Sequence, residues 1–172
     1  MTIAGAAPAA PRHIWLRLGL AVVAALEFID ALGGAQNIFT DYHHPTAYLR
    51  FAQALTSVDL ALAPLVSGAA LVLAAVGRTR QAILALSVLS LLVWLLDDIW
   101  AIPIHGLELS WSYGGQIALF HHFIFPAAAI AGGALALKNR RLAFAGFLVS
   151  VPTLHNWIGV VLFTIAVLRH GF

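Results

Sequence analysis

From Leu142 to Leu168 the chain carries no Asp, Glu, Lys or Arg. A run of that length exceeds the roughly 18 apolar residues that mark a bilayer-spanning helix. Similar runs, each interrupted by only a few acids, precede it. In hydrocarbon the backbone has no water to bond to, so such runs are stable as helices. Composition agrees: 62% of residues are hydrophobic and 9% charged, against about 25% charged in a soluble domain. The fold class is therefore an all-α integral membrane protein.

Five spans are expected. The first covers about 14–35 and is punctuated by Gly33-Gly34. The second covers about 47–76, with Pro45 as a plausible first helical residue. The third runs over about 82–102 and stops at Pro103, the fourth over about 115–137, and the fifth over about 142–168. Residues 1–13 are small and Pro-rich and read as a disordered cytoplasmic tail; residues 14–172 form one domain. Glu27 and Asp30 lie inside the apolar run that follows Arg12 and Arg17, so the first span reads as retained and not as a cleaved signal. No internal repeat is expected.

Lys and Arg set the orientation. Arg12, Arg17, Arg78, Arg80, Lys138, Arg140 and Arg141 fall on one side; Arg50 and Arg169 fall on the other. The N-terminus is then cytoplasmic and the C-terminus outside, in what is expected to be a bacterial inner membrane. The net charge of +2 comes from scattered residues, which argues for topology signals and against nucleic-acid binding. There is no cysteine, so disulfides, thiolate metal ligands and iron–sulfur clusters are excluded.

The polar residues left inside the spans fall at one depth. At about 1.5 Å per residue, Glu27 lies about 15 Å beyond Arg17 and Asp30 about 20 Å. Asp59, Asp97, Asp98, His122 and His155 each lie about 20–25 Å from the basic end of their own helix. Every helix thus delivers an acid or a histidine to the outer half of a core about 30 Å thick. Glu27 and Asp30 share a face by their spacing. Asp97 and Asp98 differ by about 100°, as do His121 and His122, so one of each pair is expected to point inward. Three prolines bend helices near the same layer: Pro64, Pro126 and Pro152 free the carbonyls of Leu60, His122 and Leu148.

Ionisable residues at this depth are expensive and usually mark a site or pathway. The layer holds five carboxylates and no Lys or Arg. Protonation, water, imidazolium or a bound metal would have to offset them. The leading expectation is a metal-dependent or acid–base enzyme acting on a hydrophobic, lipid-like substrate that enters from the bilayer. Asp97, Asp98, His122 and Glu27 are its candidate catalytic groups. Asp30, Asp59, Asp97, Asp98, His121, His122 and His155 are candidate ligands of a transition metal ion of unspecified identity. Haem held by a helix-4 histidine and His155 is a special case. The alternatives are a proton- or cation-coupled transporter, or an accessory subunit of a membrane complex; a homo-oligomer is compatible with each. As a purely structural layer, the same residues would hydrogen-bond between helices and specify packing.

Other residues read more plainly. His43, His44, His105 and Glu108 belong to loops and His170 to the tail. Trp94, Trp100 and Trp157 are expected to pack, and the run Ala127 to Ala136 to form a close-packing face. The piece LVLAAVGRTRQAILAL resembles the second-to-third helix turn of DoxX-like small membrane proteins. The five-helix layout with acids and tryptophans is loosely similar to the sterol-isomerase (EXPERA) group. Neither likeness supplies a motif that matches residue by residue, so no family is assigned.

Overall fold

The computed structural model describes residues 14–39, 47–100, 102 and 113–170. The expected tail, His43, His44, His105 and Glu108 lie outside them, as does the side chain of His170. Among the described residues all regular structure is helical, and five helices are long and apolar enough to cross a membrane. Helix α1 spans Ile14–Ala35 and continues as a 3₁₀ turn, Gln36–Phe39; α2 spans Ala47–Ala75. Helix α3, Thr79–Val93, runs on into a π turn, Trp94–Asp98. The fourth span is built of α4, Tyr113–Leu119, a second π turn, Phe120–Ile124, and α5, Phe125–Leu137. Helix α6 is Leu142–His170.

The expected helices are therefore present with nearly the expected ends; the third starts three residues earlier, at Thr79. The two π turns were not expected. Pro64 and Pro152 lie inside continuous α-helix. Only Pro126 sits at a break, at the start of α5 directly after the second π turn.

Each helix packs on the next, α1 on α2, α2 on α3, α3 on α5 and α5 on α6, while α1 returns to α6. The core lies toward the basic end, where Leu20, Ala74, Ala82, Ile83, Ala136 and Val149 are almost wholly buried. Between apolar helices in lipid there is little hydrophobic driving force, so close van der Waals approach has to hold the bundle. The Ala127–Ala136 run supplies it, as expected. A Cβ on Gly133 would lie 2.5 Å from Ser87 Oγ on α3, and one on Gly132 would lie 2.7 Å from Val149 Cγ1 on α6. At the same contact Ser87 Oγ donates to the Ala129 carbonyl at 2.7 Å. At the opposite end the packing opens: from Ile158 to Leu168 most of α6 is exposed on every face.

Two of the helix–helix turns close in the same way. Helix α2 ends with Gly77 at φ 81° and α5 with Asn139 at φ 51°. Both ends form the same crossed pair of bonds, Arg78 N to Leu73 O with Gly77 N to Ala74 O, and Arg140 N to Leu135 O with Asn139 N to Ala136 O. This is the Schellman motif, which uses a left-handed residue to satisfy the last carbonyls. An arginine from a neighbouring helix then covers the carbonyl two residues earlier: Arg17 donates to Ala75 O, and Arg80 to Leu137 O. Some flanking residues correspond as well, Pro64 with Pro126 and Arg78 with Arg140 at one spacing, and Ala82 with Ala145, Ser87 with Ser150 and Trp94 with Trp157 at a spacing one residue longer. These matches are scattered among interchangeable apolar residues, which hides them in the sequence.

Candidate functional site

The two π turns lie side by side on the third and fourth spans, at the end remote from the basic turns. A π turn widens the helix by one residue and re-aims the side chains around it, a distortion found often at functional sites. Here the turns carry Asp97 and Asp98 on one span and His121 and His122 on the other.

Adjacent residues leave these turns in different directions. Asp98 Oδ1 lies 3.4 Å from His121 Nδ1, with the two side chains 18% and 31% exposed. Asp97 is turned the other way, toward α2, where its Oδ1 accepts from Thr56 Oγ1 at 2.8 Å. Asp59, three residues beyond Thr56, is buried and lies within Coulombic reach of both Asp97 and Asp98. As expected, the two acids of the pair part: Asp98 is half-buried on the histidine side, and Asp97 is exposed on the α2 side.

His155, on α6, completes the histidine side. Its ring stacks on Phe120 at 4.8 Å and meets Phe125 edge-on at 5.2 Å. Its centroid is 6.4 Å from that of His121. Phe125 also packs on His121 at 5.1 Å. His122 takes a separate role: its backbone carbonyl, which Pro126 deprives of an α-helical donor, accepts from Trp94 Nε1 at 3.1 Å. Its own Nδ1 and Asp59 Oδ1 are buried without a protein partner. Buried polar atoms of this kind are stable when hydrated or ligand-bound, or, for a carboxyl, when protonated.

Glu27 and Asp30 do not join this group. Glu27 is half-buried and hydrogen-bonded with the buried Thr153 on α6, whereas Asp30 is exposed. Their shared face thus divides between an interhelical contact and the surface. Trp100 packs, as expected, donating Nε1 to Leu95 O and meeting Phe51 edge-on.

The expected metal set does not assemble. Among the described residues no three of the acids and histidines stand where they could hold a metal ion. The cause is visible in the partners: Asp97 is drawn to Thr56, Asp98 to His121, and His155 into a phenylalanine cluster.

Beside His155 lies a groove of about 480 Å³ between α4 and α6, lined by Gln116, Ile117, Phe120, His155, Gly159 and Leu162 among others. Thr56 and Gln116 are site residues that sequence reasoning missed. Only Thr56 carried a signal, standing one turn from Asp59 on the same helix face.

No family model, no curated protein and no solved structure matches the chain. The functional reading therefore rests on the geometry of the site.

Proposed function

We propose that the chain is a membrane-embedded enzyme that moves a proton to or from a lipophilic substrate at the Asp98–His121 pair. The observation that carries this reading is the 3.4 Å approach of Asp98 Oδ1 to His121 Nδ1, beside a groove that ends on a second imidazole, His155. A carboxylate at Nδ1 holds the proton on that nitrogen and leaves Nε2 as the base. The carboxylate also stabilises the imidazolium formed when Nε2 takes a proton. His155 can return a proton from its own ring, so acid and base need not be the same group. None of these steps uses a metal, in keeping with the dispersed ligands.

A conduit is less well supported. Three hydroxyls of the basic half, Ser67, Ser87 and Ser150, each donate to a helix carbonyl, of Ala63, Ala129 and Gly146. These three are spent on backbone and do not extend the polar layer toward the basic turns.

The test is mass spectrometry of a total lipid extract incubated with the protein in nanodiscs. The wild-type chain should convert at least one lipid species. Asp98→Asn and His121→Gln should slow that conversion by about 10²-fold or more, the usual contribution of a positioned acid or base. Asp97→Asn, which faces α2, should keep most of it. Equal rates for Asp97→Asn and Asp98→Asn would overturn the assignment, and no converted species at all would remove the enzyme reading.

A further inference from the structure

A second groove opens at the basic end, between α1 and α6. Both helices start at that end, and the groove starts with them, at Trp15 on α1 and Ala143 on α6. It runs inward past Gly19 and Phe147 to Val23 and Leu154, about 16 Å along α6 at 1.5 Å per residue. That is the depth of one leaflet, half of a hydrocarbon core about 30 Å thick. Its volume is about 440 Å³. Glycine leaves part of the room, since a Cβ on Gly19 meets nothing within 4 Å.

The inner length suits a hydrocarbon chain. Ser150 lies along it, but its hydroxyl donates to Gly146 O at 2.7 Å, so beyond Trp15 no lining side chain offers a free polar group. Both helices are apolar enough to cross a membrane. Trp15 is 81% exposed, and its ring is of the kind that favours the membrane–water boundary. The mouth therefore stands at head-group depth, and the groove leads from it into hydrocarbon.

Charge selects the head group. Arg17 follows Trp15 by one helical step and a half-turn of chain at most, and Arg140 and Arg141 directly precede α6; all three are exposed. No acid balances them. Helix α6 has none up to Leu168, and Glu27, the first acid on α1, lies about 15 Å further in. Guanidinium groups receive a phosphate through paired hydrogen bonds, whereas an amine at this end meets only like charge. Each basic residue beside an anionic head group adds on the order of a fivefold preference.

We infer that the groove between α1 and α6 binds an anionic phospholipid, with its phosphate at Arg140 and Arg141 and one acyl chain running inward along Gly19 and Phe147. The site lies at the end remote from Asp98 and His121 and is independent of what that pair does.

The test is native mass spectrometry of the full chain, delipidated in detergent and titrated with phosphatidylglycerol or with phosphatidylcholine of the same acyl chains. One phosphatidylglycerol should bind at a concentration about tenfold lower than phosphatidylcholine needs. A diazirine in its acyl chain should label residues 143–154 on photolysis. Arg140→Gln combined with Arg141→Gly should weaken phosphatidylglycerol binding by about tenfold or more. That double variant should fold as well as the wild type, because Arg141 sits at φ 48°, where glycine is unstrained. Gly19→Leu, which fills the groove and favours the helix, should abolish the labelling of residues 143–154 with no loss of thermal stability. Equal binding of the two lipids, undiminished labelling of Gly19→Leu, or full competition by glycerol phosphate would overturn the inference, the last by showing an anion patch without a chain site.

Discussion

At the scale of single residues, the polar layer is organised by what each side chain finds within reach. Asp97 and Asp98 are neighbours in sequence, yet one is held by a hydroxyl on α2 and the other by an imidazole on the fourth span. The spacing arguments gave the depth of every member and the angle between neighbours. They gave no partner, because a partner depends on how each helix is rotated about its axis. One link was half legible: Pro126 marks His122 O as a free acceptor, and the structure supplies Trp94 as the donor. Trp94→Phe removes that donor, which should cost about 0.5–1.5 kcal/mol. Pro126→Ala restores a backbone N–H four residues on, so the same change in that background should cost less. Unfolding of the two single variants and the double variant closes the cycle; purely additive losses would show that the carbonyl is not the shared element.

At the scale of elements, the spans followed from uncharged length, and their ends from basic turns and prolines. The π turns did not. A π turn inserts one residue without changing composition or hydrophobic pattern, and WLLDD and FHHFI read equally well as α-helix. Close helix approach was legible in the Gly132-Gly133 pair. Ala at either position should destabilise by about 1–3 kcal/mol through overpacking, Gly132 being the less adaptable because its Cβ would also lie 3.0 Å from the Ala145 backbone oxygen. Gly33→Ala, with nothing within 4 Å of the added Cβ, should be neutral or stabilising by up to about 1 kcal/mol. Thermal unfolding in detergent distinguishes these. Equal behaviour of all three would refute the packing role.

For the whole molecule, five apolar spans and an uneven distribution of Lys and Arg predict which turns face the cytoplasm. The absence of cysteine makes the check direct. A single cysteine at Lys138, between α5 and α6, should be unreactive to an impermeant maleimide added to intact cells, and one at Leu168 should react. The reverse pattern would invert the molecule. The two like turns bear on the chemistry as well. Asp59 and His121 stand five residues before Pro64 and Pro126, an acid before one proline and a base before the other. Both turns have the proline, the arginine-covered helix end, the small residue and the serine, whereas the polar groups of the layer differ. Scaffold and reactivity thus rest on separate residues: the turns hold the helices together, and the layer is free of that task. Exchanging Asp59 or His121 for other polar residues should therefore alter what the molecule does well before it alters whether the molecule folds.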